Sequence, residues 1–290
     1  MVNASFGTVL ITKDRNWCLE RTVAALRGSE IAERPIVVIN NGAKREDPLQ
    51  VLKGLSFEYV ELPENTGIVG ARLYAHRIAQ AAGWDYYCFL QDDFELKLRQ
   101  PWLSQALEFM QSFQIDYCRL TLREMALGEN EHWVKGELRV KTGARFWNCS
   151  HIQMPKYEKL RDREFALTDK HYSDWVHIMS RRGSQTLFDI SAEQLSGPTV
   201  SDLLLTGKTE QAIHGSLRTE FDIAVKHWLT YSQGLVSATG MLVDRSCHFG
   251  AFEHFTRQST SDYRDLPPHP QLAFTIEPKR RFFVKADAKA

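Results

Sequence analysis

Two adjacent carboxylates, Asp92 and Asp93, close the apolar run Tyr86-Tyr87-Cys88-Phe89-Leu90-Gln91, and about twenty residues upstream stands Asn65-Thr66-Gly67-Ile68-Val69-Gly70-Ala71-Arg72. Hard oxygen donors at the carboxyl end of a buried strand suit Mg²⁺ or Mn²⁺ bridging to phosphate oxygens. A glycine turn that opens a helix presents backbone N–H groups to phosphate, and a cation one turn in adds charge-assisted contacts. Taken together the two segments form a geometry for a metal-bound diphosphate. Taken singly, each also reads as something plainer, a solvated acidic turn and an ordinary strand-to-helix connection. Neither segment fits Gly-x-Gly-x-x-Gly or Gly-x-x-x-x-Gly-Lys-Ser/Thr, so the dinucleotide and P-loop classes lose ground.

The flanking pattern predicts a mostly parallel sheet with helical crossovers. Thr8-Val9-Leu10-Ile11-Thr12 and Ile36-Val37-Val38-Ile39 are short apolar runs suited to strands covered on both faces. Phe57 to Leu62 reads as a third strand nearer an edge, Tyr86 to Leu90 as the next, and Tyr117 to Leu122 as another. Helical spacing appears at Leu19, Val23 and Leu26, again from Val69 through Leu73, Ile78 and Ala82, and again at Trp102, Ala106, Phe109, Met110 and Phe113. Between residues 125 and 215 the pattern weakens. Phe221, Ala224, Val225, Trp228 and Leu229 then predict an amphipathic helix ending near Gly234.

A chain of 290 residues accommodates one large α/β domain or one such domain with an insertion. Lysine plus arginine and aspartate plus glutamate each number 36, which removes the overall basic footprint of a general nucleic-acid binder. The five scattered cysteines, with no Cys-x-x-Cys pair, argue against a disulfide framework or a structural zinc site. The amino terminus lacks a secretion signal pattern, and no apolar run approaches the ~20 residues of a membrane span. A cytoplasmic protein is expected.

Four segments in the first hundred residues, in this order and spacing, resemble the GT-A glycosyltransferases of the family 2 type: Thr12-Lys13-Asp14-Arg15, Asn40-Asn41-Gly42, Asn65-x-Gly67 with Ala71-Arg72, and Phe89 to Asp93. The resemblance implies a GT-A fold and a nucleotide-diphosphate sugar donor, with a UDP-sugar as the default. It implies donor contacts at Thr12, Arg15, Asn41, Asn65, Gly67, Arg72 and Asp92, and Asp93 as the metal ligand for Mn²⁺ or Mg²⁺. Gln91 stands where the commoner motif has a first carboxylate, and Leu73 where the family has asparagine. Residues 1–124 would form the nucleotide-sugar half of one domain, 125–265 its acceptor and catalytic half, and 266–290 a terminal tail.

In the second half, inverting members of the family place a general base near a helix start, which here points to Asp222 or Glu220; Thr219-x-x-Asp222 also fits a capping box. A late histidine completes the metal site in many such enzymes, making His248 the candidate and His254 its competitor. Trp147, His151, Trp175 and Trp228 could stack on an acceptor or belong to the core. The basic segment Lys279-Arg280-Arg281-Phe282-Phe283 reads as a terminal segment packing two phenylalanines, with an anionic surface as the other use. The acceptor stays open among saccharide, lipid carrier, protein side chain and a modified nucleic-acid base. A sugar-phosphate nucleotidyltransferase and an inactive GT-A-like binding protein are the alternatives. The first lacks its glycine-rich signature after the first strand.

Overall fold

The structure is a computed structural model, and it describes residues 4–98, 102–120, 131–134, 137–142, 145–149, 156–160, 163–168, 176–188, 239–243, 252–254 and 277–286. Four strands form its parallel centre: β1 (Phe6–Thr12), β2 (Ile36–Asn40), β3 (Phe57–Glu61) and β4 (Tyr86–Gln91). β1 pairs in parallel with β2 on one side and with β4 on the other, so Thr12, Asn40 and Gln91 end side by side on one rim. Every residue of β1 and β2 is buried, as expected of strands covered on both faces.

Alternation along β1 feeds two cores. Phe6 and Leu10 face the layer built with α1 (Asn16–Leu26) and α3 (Leu103–Ser112), whose Leu19, Val23, Leu26, Ala106, Phe109 and Met110 are buried there. Val9 and Ile11 face the opposite layer, built with Ala71, Leu73, Ala75 and Ile78 of α2 (Gly67–Ala81). Gly7 must be glycine because a Cβ there would stand 2.2 Å from the Trp84 ring.

The remaining strands are β5 (Phe94–Leu96), β6 (Tyr117–Arg119), β7 (Glu131–Val134), β8 (Glu137–Thr142), β9 (Arg145–Cys149), β10 (Lys156–Leu160), β11 (Arg163–Thr168), β12 (His177–Ser180), β13 (Thr239–Val243), β14 (Phe252–His254) and β15 (Arg280–Val284). The main sheet runs β10-β11-β13-β6-β12-β4-β1-β2-β3-β15. β12 lies antiparallel between β4 and β6 and is followed directly by α4 (Arg181–Phe188). β5 pairs with β14, and β7, β8 and β9 form a separate antiparallel sheet.

The basic terminal segment is a strand. β15 pairs antiparallel with β3, and Arg280 and Arg281 bind Glu61 and Glu58. Of its two phenylalanines, one packs: the Phe282 ring lies 5.2 Å from that of Tyr59, whereas Phe283 is 63% exposed. Among the described residues no helix is long and apolar enough to cross a membrane.

At the amino end of β1 and β4, Asp85 accepts the Ser5 N–H at 3.0 Å and the Ser5 hydroxyl at 2.9 Å. The Ser5 backbone bond, helped by its hydroxyl and by Arg181 against the effect of burial, holds the Asp85 pKa below the usual value. A carboxylate with a depressed folded pKa stabilises the fold above its unfolded pKa, about 4, and loses that contribution as pH falls through the folded value. Asp85→Asn is therefore expected to lower stability at pH 7 by no more than about 1 kcal/mol, since the group is half-exposed. In urea titrations the gap between variant and wild type should close on acidification below about pH 4.

Candidate functional site

The carboxyl rim of the sheet gathers four of the residues expected from the sequence. Asp92, immediately after β4, is fully buried and accepts a hydrogen bond from the Thr12 hydroxyl at 2.8 Å. Its other carboxylate oxygen pairs with Arg15, and a second arm of the same guanidinium reaches Asp93 Oδ2 at 2.9 Å. The Asp92 carbonyl accepts from the Thr22 hydroxyl at 2.6 Å, which ties the turn to α1. Burial pushes the Asp92 carboxyl up, to about 7, against the pull of Arg15, Thr12 and the Lys13 N–H and with the help of Asp93. Burial also opposes the Arg15 charge, but the two aspartates outweigh it and its pKa stands above the ordinary arginine value.

A second constellation adjoins this one. The Asn41 N–H donates to the Thr12 carbonyl at 2.9 Å, so the turn after β2 sits against the end of β1. The Asn41 side chain accepts from the Thr66 N–H at 3.0 Å and its hydroxyl at 2.8 Å, and donates to Asn65 at 3.2 Å. The start of α2 is thereby locked onto the β2 turn. Gly42 has φ +68°, and a Cβ on it would stand 2.2 Å from the Glu64 carbonyl carbon and 2.4 Å from the Asn65 nitrogen, so only glycine permits this approach. Asp14, at φ 51°, closes the rim by accepting N–H bonds from Lys44, Arg45 and Glu46 at 2.9, 2.8 and 3.3 Å.

Thr22, Thr66 and Asp14 were not singled out from the sequence. The available signals were Asp14 in a polar turn, where αL is tolerated, and Thr66 at the cap position before Gly67. Gly67 is the first residue of α2. Arg72 is buried in the layer between α2 and β4, with its guanidinium 5.6 Å from the Phe89 ring centroid. Asp222, Glu220, His248, His151, Trp175 and Trp228 lie outside the described residues, as does the helix expected from Phe221; of Trp147 only its place on β9 is described. β14 sets His254 opposite Phe94 in register, one residue from Asp93.

A cavity of about 640 Å³ lined by Asp85, Tyr86, Gln114, Asp116, Arg181 and Arg182 lies at the other end of the strands. Six-residue β4 separates it from Asp92, roughly 20 Å at the usual strand rise. It is not the crevice at the carboxyl ends where an open α/β sheet takes ligands.

Parallel centre, antiparallel β12 and carboxylates at the exit of β4 define a nucleotide-diphospho-sugar transferase fold of the GT-A type. The family described as Glycosyl transferase family 2 matches residues 8–188, and the chain belongs to it. No curated protein matches the chain. Among solved structures, S. aureus TarS residues 1–349 in complex with UDP is 12% identical over 83% of this chain and 58% of that one, with TM-score 0.44. A CMP:2-keto-3-deoxy-manno-octonic acid synthetase complexed with CTP is 11% identical over 82% of this chain and 89% of that one, with TM-score 0.42. Mannose-1-phosphate geranyltransferase from Thermus thermophilus is 12% identical over 87% of this chain and 76% of that one, with TM-score 0.40. This chain spans little more than half of the TarS fragment and 21% of a longer TarS chain.

Two substitutions test the rim. Gly42→Ala is expected to lower the unfolding free energy by at least about 2 kcal/mol in urea titrations, because both the positive φ and the backbone approach forbid a side chain. Thr12→Val, which leaves a buried Asp92 oxygen one donor short, is expected to cost about 1–3 kcal/mol in the same assay.

Proposed function

We propose that this protein is a metal-dependent, inverting glycosyltransferase that moves a sugar from a nucleoside diphosphate, a UDP-sugar by default, to an acceptor hydroxyl. The observation that carries this reading is the single rim on which Arg15, Asp92 and Asp93 meet the Asn41–Asn65 turn and the start of α2. A diphosphate laid along that rim would find a guanidinium, the backbone N–H groups of a helix start and a carboxylate for a cation.

The donor set suits a hard divalent ion. Asp93 is a nearly buried carboxylate whose Oδ2 pairs with Arg15. Among the described residues no three His, Cys, Asp or Glu side chains converge. His248, or His254, whose backbone β14 carries beside the Asp93 turn, would complete the site. When bound, the Mn²⁺ or Mg²⁺ would neutralise charge on the diphosphate.

The chain's own groups would do the rest. Arg15 and Arg72 would offset the charge of the leaving diphosphate. Asn41, Asn65 and Gly67 would shape the nucleotide seat, with Thr12 and Asp92 fixing Arg15. Asp222, or Glu220, would draw the proton from the acceptor hydroxyl as it attacks the anomeric carbon. Residues 125–265 would supply the acceptor side.

Calorimetry with a panel of nucleoside diphosphates and their sugars, with and without Mn²⁺, tests the reading. Binding of one base class that requires Mn²⁺ and weakens at least about 100-fold, some 2.7 kcal/mol, in Asp93→Ala is the expected result. Absence of binding to every member would overturn it. Transfer or donor hydrolysis should fall by at least about 100-fold in Asp222→Asn if that residue is the base.

A further inference from the structure

Arg15 occupies the place where a divalent cation and a diphosphate would meet, and its charge has consequences for both. One guanidinium bridges two carboxylates whose side chains are 0% and 8% exposed, and its own side chain is 18% exposed. With both carboxylates ionised and paired to the guanidinium, the three groups together carry one net negative charge. Both Asp92 oxygens are engaged, by Arg15, by Thr12 and by the Lys13 N–H, so its carboxylate serves to fix the guanidinium. Asp93 is held at one oxygen by the second arm.

Adding a divalent ion alone would turn this cluster net positive and set the ion beside a guanidinium in a site with little water to screen the repulsion. Adding a nucleoside diphosphate alone would deepen the negative charge. Adding both together returns the cluster close to its resting charge.

Resting on the donor-site reading above, we propose that Arg15 is a coupling residue: it suppresses capture of a divalent cation until a nucleoside diphosphate arrives, so that metal and nucleotide enter as a pair. The pairing is reciprocal, because a factor by which the nucleotide tightens the metal is the factor by which the metal tightens the nucleotide. Arg15 acts here through its charge, and the property tested is the coupling factor, which is separate from its part in holding the rim.

The test uses the 290-residue chain with Mn²⁺ alone, UDP alone and the two together, read by calorimetry and by the spin-resonance signal of free Mn²⁺. Wild-type protein should take Mn²⁺ at least tenfold more tightly with UDP present than without it. Arg15→Gln should take Mn²⁺ alone at least tenfold more tightly than wild type does, and its coupling factor should shrink by at least tenfold. Arg15→Lys, which keeps the charge and loses the bidentate fork, should leave Mn²⁺-alone affinity within about threefold of wild type.

Wild-type affinity for Mn²⁺ that is the same with and without UDP overturns the proposal without recourse to any variant. Folded Arg15→Gln, checked by circular dichroism, with wild-type Mn²⁺ affinity and coupling also overturns it and leaves the donor site standing. If wild type binds neither Mn²⁺ nor UDP in any combination, the donor-site reading falls as well.

Discussion

The bridge from Arg15 to Asp92 and Asp93 sets the conformation of the whole carboxyl rim. A carboxylate as enclosed as Asp92 must be paired, since removing the partner of a buried charge typically costs about 3–5 kcal/mol. The loop after β1 is therefore drawn over the end of β4 so that Arg15 can reach. That path carries Asp14 through a left-handed turn, and its carboxylate in turn gathers three backbone N–H groups of residues 44–46. The turn after β2 leans on the Thr12 carbonyl and fastens the start of α2 through Asn41. Four separate chain segments thus adopt one arrangement around a single cation.

The sequence carried the parallel centre openly because β1, β2 and β4 are short runs buried on both faces, with a helix pattern following each. Asp92 and Asp93 were legible as carboxylates at a strand exit, where an open α/β sheet gathers its ligand-binding groups, whereas Thr12 and Arg15 entered only through the resemblance to family 2 glycosyltransferases. β12 was hidden for a physical reason: it has four residues, of which His177 is buried between the rings of Phe89 and Tyr117 at 5.6 and 4.7 Å. A polar residue in a very short strand gives no period. The hydrogen-bonded roles of Thr22, Thr66 and Asp14 were equally silent, since each depends on a partner between 25 and 70 residues away.

α2 is anchored at its start and again past its middle by polar groups that the hydrophobic pattern does not reveal. Its start is held by Asn41, and farther along His76 meets the Ser184 hydroxyl at 2.6 Å, which lies 3.0 Å from the Tyr87 hydroxyl. All three side chains are buried, so this network ties α2 to α4 and β4 in a layer that is otherwise apolar. The helix start that faces the proposed diphosphate is consequently fixed in advance, and little ordering is left for a ligand to bring about.

The strand at the far edge, β15, closes against β3 over a sequence separation of 219, with Arg280 on Glu61. Until that segment arrives, β3 presents an open row of N–H and C=O groups at the edge of an already formed parallel unit. Such an edge is a template for pairing with foreign strands, and contacts this distant in sequence form late because loop closure must precede their reward. During synthesis the parallel unit would emerge long before the strand that closes its edge. The acidic residues Glu58 and Glu61 on β3, neutralised only when Arg281 and Arg280 dock, would meanwhile act as charged guards on that edge.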